Sequence, residues 1–404
     1  MTSPFSSIEY AITQLKAGRM VILMDDEHRE NEGDLVIAAD YATPDAINFM
    51  SRYACGLICL SMEGALIDRL GLPMMTLSNR SRYGTAFTIS IEAAVGVSTG
   101  ISAKDRAQTI QVAIDPATVA QDIISPGHVF PLRAQEGGVF KRPGQTEGSV
   151  DLMRIAGLTS AAVICEVINE DGTMSRRDEL ALFSKQHGIP LITIKDLMSY
   201  RISHETLAHP VATSRIPLRA HGDFTMTVFH NDLDDAEHFA LVRPATDPSK
   251  TPLVRIHSEC ITGDLFSSAK CDCGDQLEQS LALIAAEGGV LIYLRQEGRG
   301  IGLSNKIKAY ALQEEGHDTV EANLQLGLPV DNREYAVAFQ ILKAMNIASI
   351  RLLTNNPLKV ASLEAYGMHV AERVSLEMIP TDENRAYLKT KQEKLGHFLS
   401  MKTE

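Results

Sequence analysis

Three cysteines, Cys260, Cys271 and Cys273, stand in a C-x10-C-x-C pattern, and they are half of the six cysteines in 404 residues. No leader or membrane span is read ahead of them, so a reducing compartment is expected and a disulfide is not. Thiolates gathered this closely read first as a zinc site. A structural zinc wants a fourth Cys or His, and His257 is the nearest candidate. Three protein ligands plus water is instead the arrangement of a hydrolytic zinc. The plainer alternative is three buried thiols without metal.

A second stretch with chemical content is DDEHRENEGD, residues 25–34, with the acids Asp25, Asp26, Glu27, Glu30, Glu32 and Asp34. Acids at this density repel one another unless a cation joins them, and hard oxygen donors suit Mg2+ or Mn2+. A charge run is ordinarily a solvated turn. This one follows directly on the apolar run MVILM, 20–24, which favours a site. Residues 125–152 add His128, Arg133, Lys141 and Arg142 among glycines and prolines, a composition suited to a phosphate. Glu166 sits in the apolar run AAVICEV, 161–167. A carboxylate there is paired or has a raised pKa, which makes it a general-base candidate. Cys55, Cys59 and Cys165 lie in apolar runs and read as core thiols.

The elements that must hold these groups follow from pattern. Residues 6–17 predict an amphipathic helix with Ser6 and Glu9 as a capping box and Gly18 as the stop. Residues 20–24, 161–167, 224–229, 253–257 and 290–296 predict strands, and 275–286 and 304–315 predict helices. The strand 290–296, the turn EGRGIGL and the following helix form an anion cradle supplemented by Arg295, Arg299 and Lys306. SIRLLTNNPLK, 349–359, repeats the design, with Pro357 in the first helical turn and Lys359 beside it. Residues 201–218 lack a clean apolar period and carry two prolines, so a linker is placed at 204–212 between domains 1–203 and 213–404. The fold class is mixed α+β and α/β: two α–β domains in tandem, each a sheet covered by helices.

Net charge is −13, with 45% apolar and 22% charged residues. This argues against nucleic acid as a partner, and charges interrupt every apolar run before the ~18 residues of a membrane helix. A cytoplasmic protein is expected, with an anionic substrate needing local positive clusters.

MDDEHRENEGD, RYGTAFT, TGISAKDR, SPGHVFPLRA and CEVINEDGTM resemble 3,4-dihydroxy-2-butanone 4-phosphate synthase across about residues 5–203. The resemblance implies conversion of ribulose 5-phosphate to dihydroxybutanone phosphate and formate with Mg2+ or Mn2+. It implies metal on Glu30 and on a histidine of an R-x-G-H-T-E motif. It implies substrate contacts from Arg29, Asp34 and the loop Arg142, Pro143, Gly144, Gln145 and Thr146. His128 and Glu166 take proton-handling roles. Gln145 departs from the pattern, since it stands at the metal-binding histidine. Weak or absent synthase activity is expected from it, with recovery on Gln145→His; His28 is the only nearby imidazole in the loop.

HSECITGDLF, KCDCGDQLE, RQEGRGIGL, KIKAYALQ, DTVEAN and LLTNNPLK resemble GTP cyclohydrolase II across about residues 213–400. The resemblance makes Cys260, Cys271 and Cys273 zinc ligands with water as the fourth. It implies GTP contacts from Arg255, Ile256, His257, Ser258, Glu259, Gln276, Glu297, Gly298, Arg299, Thr319, Thr354 and Lys359, with Mg2+ on the triphosphate. Asp331 becomes the proton acceptor, Arg333 acts at the α-phosphate, and Tyr310 is a further active-site residue. Because a guanidinium stays protonated, Arg333 reads as a charge stabiliser as readily as a nucleophile. Two readings stay open here: an enzyme with both activities, or a cyclohydrolase whose first domain is a dimerisation or regulatory scaffold. A nucleic-acid-binding zinc module is disfavoured by the charge and the missing fourth Cys. A homodimer is the expected assembly.

Overall fold

The computed structural model describes residues 4–329 and 335–399. Asp331 and Arg333 lie outside the described residues. The chain divides into two compact units, Met1–Arg201 and Ile202–Glu404.

The first unit is a seven-stranded sheet of β1 (Val21–Met24), β2 (Gly33–Ala38), β3 (Cys59–Met62), β4 (Ile91–Ala93), β5 (Ile123–Arg133), β6 (Ala161–Glu166) and β7 (Leu191–Thr193), in spatial order β4-β5-β3-β6-β2-β1-β7. The central strands β1, β2, β3 and β6 are buried almost throughout, without alternation, because both faces are covered. Side chains still point alternately up and down. Ile22, Leu35, Ile37, Val163 and Cys165 join a core with Ile47, Ile110 and Leu180 from the helices Pro44–Phe49, Ala103–Ile114 and Arg177–His187. Val21, Leu23, Val36 and Ile164 join another with Ile12, Leu15, Leu152 and Leu197 from Ile8–Lys16, Gln145–Ala156 and Ile194–His204. The unit is therefore three layers, helices on both faces of the sheet. Each fully buried Leu or Ile contributes about 1.5–3 kcal/mol relative to exposure.

The first helix is capped by Ser7, whose hydroxyl accepts from the Tyr10 amide at 3.3 Å. The expected cap, Ser6, lies before the helix and donates its amide to the Leu191 carbonyl of β7 at 2.8 Å. Cys59 and Cys165 are core thiols as expected. Cys55 is not: it is exposed and left-handed, φ 67°, at the end of the helical turn Met50–Ala54.

The second unit holds β8 (Ala208–Leu218), β9 (Gly222–Asn231), β10 (His238–Arg243), β11 (Leu253–Ser258), β12 (Gly289–Leu294), β13 (Ser349–Leu353) and β14 (His369–Val374), in order β14-β13-β11-β12-β10-β9-β8. β14, β13, β11 and β12 run parallel, and β10, β9 and β8 are antiparallel additions. The helix Cys273–Glu287 packs Leu277, Leu281 and Ile284 on Phe224, Leu253 and Leu291. Residues 208–212, expected in a linker, are strand. β8 is an edge strand, which tolerates Pro210 and Pro217 because one row of its backbone groups has no ladder partner.

Candidate active sites

In open sheets, ligands bind outside the carboxyl ends of parallel strands. The second unit follows this rule. β11 ends at Ser258 and leads into Cys260. β12 leads into Glu297, and β13 leads into Thr354. One pocket collects all three ends. The cysteines line it together with Arg255, His257, Ser258 and Glu259 of the β11 end. Gln276, Glu297, Gly298, Tyr310, Thr319, Thr354 and Lys359 complete the set read from sequence. Ile256 is the exception: it is fully buried in the sheet, and its carbonyl accepts from Lys359 Nζ at 2.7 Å. Arg299 belongs to the short helical turn Glu297–Gly300.

The three sulfurs lie within 4.8 Å of one another, the only such metal-capable group of three among the described residues. Zinc with sulfurs at about 2.3 Å in a tetrahedron spaces them by roughly 3.8 Å, and Cys260 and Cys271 are 3.6 Å apart. Gly263 closes one side. A Cβ there would lie 3.0 Å from the Cys271 sulfur and 3.2 Å from that of Cys260. His257 is not part of that group of three; its Nε2 lies 3.0 Å from Asp264. The same carboxylate accepts from the Cys260 amide and from Tyr293, so Asp264 fixes the loop that carries the thiols. The donor set fits a three-thiolate zinc with one position left for water.

Lys306 Nζ lies 3.1 Å from the Cys260 sulfur and 2.8 Å from Glu297 Oε1. Hydrogen bonds from the Cys271 and Cys273 thiols, followed by this ammonium, hold Cys260 far below the ordinary thiol range. Burial would lower the Lys306 pKa, but Glu297 and Cys260 outweigh it and raise it. Burial pushes Tyr310 up to about 12. The glycine turn after β12 is used differently from the expectation. The Gly298 amide donates to the Glu297 carboxylate at 2.7 Å, and the Ile261 amide donates to its other oxygen at 2.6 Å. The anion in that part of the cradle is the protein's own.

In the first unit, antiparallel pairing of β1 with β2 and of β2 with β6 brings the acidic loop, Asp34 and Glu166 together at one end of these central strands. Asp25 is no open ligand: its carboxylate accepts from the Glu30 and Glu32 amides and from Arg29 Nη1. That Arg29 nitrogen also lies 3.1 Å from Glu30 Oε2 and 3.1 Å from Gln145 Oε1. Gln145 opens the helix Gln145–Ala156, buried, with its Nε2 near the Glu32 carbonyl at 3.4 Å. Arg142 spends its donors on the Tyr83 carbonyl, Thr85 and Glu147. Arg29 Nη2 is buried and unpartnered. Gly144 lies against both guanidinium groups, since a Cβ would sit 2.5 Å from Arg142 Nη1 and 2.9 Å from Arg29 Nη2 and would push them aside. Pro143 is exposed and Thr146 buried.

His128 pairs with Glu92 at 3.2 Å, and Arg133 pairs with Asp68 rather than waiting for a phosphate. His28 is 88% exposed beside Glu27. Arg176, which sequence reasoning passed over, donates to the Glu30 and Asn31 carbonyls. Nothing in its local sequence marks it, because the loop it holds lies more than 140 residues away.

Asp34 and Glu166 face each other directly across the ladder. Glu166 Oε2 accepts from the Leu57 amide at 2.8 Å. Burial, then the Glu166 and Glu30 charges, raise the Asp34 pKa well above the carboxylate range. The folded chain thus holds a proton at Asp34 that the unfolded chain releases, and stability falls as pH rises through that interval. Asp34→Asn is expected to unfold at a higher temperature than the parent at pH 7, with the gain vanishing below about pH 4. Equal melting curves at pH 7 would refute this account of Asp34.

Residues 9–200 match the sequence profile of the 3,4-dihydroxy-2-butanone 4-phosphate synthase family, and residues 209–375 that of GTP cyclohydrolase II. The chain is 50% identical over 404 residues to the riboflavin biosynthesis protein RibBA of Rhodococcus jostii, covering 98% of this chain and 96% of that one. It is 50% identical over 403 residues to RibBA of Mycobacterium tuberculosis, covering 98% and 94%. Among solved structures, RibBX, a two-domain 3,4-dihydroxy-2-butanone 4-phosphate synthase from A. baumannii, matches with a TM-score of 0.69 at 34% identity, over 92% of this chain and 100% of that one. The chain belongs to the riboflavin biosynthesis family in which a 3,4-dihydroxy-2-butanone 4-phosphate synthase domain, a lyase, precedes a GTP cyclohydrolase II domain, a hydrolase. These relatives support the reading with both activities and not the one in which the first domain is only a scaffold. No helix among the described residues is long and apolar enough to cross a membrane.

Proposed function

We propose that GTP is opened in the thiol pocket of the second unit, with Cys260, Cys271 and Cys273 holding zinc. The convergence of three sulfurs at the carboxyl ends of parallel strands carries this reading. Bound zinc would supply a water of pKa about 7, a nucleophile for an imidazole ring at neutral pH. The chain's own residues do the rest. Lys306 balances the thiolate charge of Cys260. Arg255 and Lys359 raise the local positive potential for a triphosphate carrying Mg2+, against a net charge of −13. Thr354, at the turn before the helix Pro357–Ala365, accepts from the Asn356 amide and shapes the phosphate end. Asp331 takes the proton and Arg333 stabilises charge at the α-phosphate. Products are formate, pyrophosphate and 2,5-diamino-6-ribosylamino-pyrimidinone 5'-phosphate.

Ribulose 5-phosphate is assigned to the strand ends of the first unit where the acidic loop, Asp34 and Glu166 meet. Arg29 Nη2, a buried donor with no partner, suits its phosphate or a hydroxyl. Glu166 and His128 handle protons, and Glu30 with Gln145 would hold Mg2+ or Mn2+. One carboxylate and one amide oxygen are a lean set, but Mg2+ commonly keeps several waters and takes few protein ligands. A cytoplasmic homodimer is the proposed setting.

The test is to supply the purified, zinc-loaded chain separately with GTP and with ribulose 5-phosphate and to measure formate from each. Asp331→Ala and Arg333→Ala are expected to stop formate release from GTP and leave the ribulose reaction intact. Near-normal GTP turnover in either would contradict its role.

A further inference from the structure

The match to the GTP cyclohydrolase II family ends at residue 375. The chain then makes the helix Arg385–Glu393. Tyr387 and Lys391 of that helix, and His397 after it, line the same pocket as the thiols and Arg255. The helix is held over the pocket at three points. Lys394 pairs with Asp318 and Glu321, the N-cap and first turn of the helix Thr319–Gln325. The Phe398 amide donates to the Asn355 carbonyl at 2.9 Å, in the turn after β13. Lys391, 8% exposed, reaches Asp272 Oδ1 at 2.7 Å.

Asp272 is the residue between Cys271 and Cys273, and it is 1% exposed. Its other oxygen accepts from Gln276 Nε2 at 2.6 Å. Gln276 Oε1 in turn accepts from Arg255 Nη2 at 2.7 Å, and Arg255 Nη1 donates to the Leu353 carbonyl. A single chain of charge-assisted hydrogen bonds therefore runs from the C-terminal helix through the thiol loop to Gln276 and Arg255, which also line the pocket. Side chains linked in this way lose the freedom to adopt other rotamers before a ligand arrives.

We infer that the C-terminal segment 385–399 is the closing wall of the nucleotide pocket, and that Lys391 is a positioning residue for GTP binding, acting through Asp272 and Gln276 on Arg255. This rests on the assignment of GTP to that pocket. Removing one partner of a buried ion pair leaves the other uncompensated, so Asp272 should turn and Gln276 with Arg255 should lose their fixed orientation. That loss falls on binding more than on the reacting atoms.

The test uses the zinc-loaded full chain. Lys391→Met is expected to raise KM for GTP by at least about tenfold with a smaller change in kcat and about one zinc retained per chain. Lys391→Arg, which keeps the charge, should recover most of the loss. An unchanged KM, a fall in kcat alone, or loss of zinc would overturn the inference. A second measurement needs no variant. A non-hydrolysable GTP analogue should slow amide hydrogen exchange in 385–399 of the wild-type chain, and no change there would overturn the closing-wall role. If the wild-type chain itself releases no formate from GTP, the assignment of GTP to the pocket fails instead.

Discussion

Replacing Cys271 by serine is expected to empty the thiol site of zinc and to abolish formate release from GTP. The residue lies in the middle of the cluster, buried, with its sulfur 3.6 Å from that of Cys260. A serine hydroxyl remains protonated at neutral pH and is a poor zinc ligand, so two thiolates would have to hold the ion. Losing a group that merely supports a metal ligand costs ~10–100-fold in affinity or activity, and losing the ligand itself should cost at least that. Elemental analysis after dialysis should fall from about one zinc per chain to a small fraction. Formate release from ribulose 5-phosphate by the same preparation should be unchanged, because that chemistry is assigned to the first unit, which folds around its own core. Full zinc retention in Cys271→Ser would sink the assignment. Loss of both reactions would mean that the variant had misfolded, and Cys273→Ser would then be read in its place.

The thiol site was legible because its signal is local. C-x10-C-x-C places all three donors within fourteen residues, and the short loop they share brings the sulfurs together. The strand–turn–helix units at 290–315 and 349–365 were legible for the same reason, with periodicity and turn chemistry agreeing over one stretch. Groups assembled by distant pairing left no comparable mark. Lys391 gains its place from Asp272, 119 residues earlier, and the polar helix that carries it resembles any solvated one. The edge strand β8 was hidden by its prolines, which signal a break in sequence and are harmless where a strand has one unpaired side. The acidic loop misled in part. Its density suggested a cluster of open carboxylates, whereas Asp25 is consumed in folding the loop and Asp34 is buried against Glu166. What sequence could not weigh is how many acids a turn needs for its own amides.

Gln145→His is expected to produce the largest gain of any single change in the first unit. Gln145 and Glu30 present their oxygens to the same nitrogen of Arg29, each at 3.1 Å. Both oxygens therefore face the position that this guanidinium nitrogen occupies. The amide oxygen is neutral and weakly basic, however, and it is already engaged by Arg29. An imidazole nitrogen is far more basic than an amide oxygen, and it cannot accept from Arg29 and bind metal at once, so the guanidinium should be displaced towards substrate. The position favours the exchange. It opens the helix Gln145–Ala156, where the backbone already fixes the direction of the side chain, and it is 5% exposed, so water competes poorly. The Mg2+ concentration giving half-maximal formate release from ribulose 5-phosphate should drop by ~10–100-fold in the variant, with a higher plateau rate. GTP hydrolysis should not change. A wild-type chain with the same Mg2+ dependence and rate as Gln145→His would show that the glutamine oxygen already serves as the ligand and that imidazole adds nothing at this site.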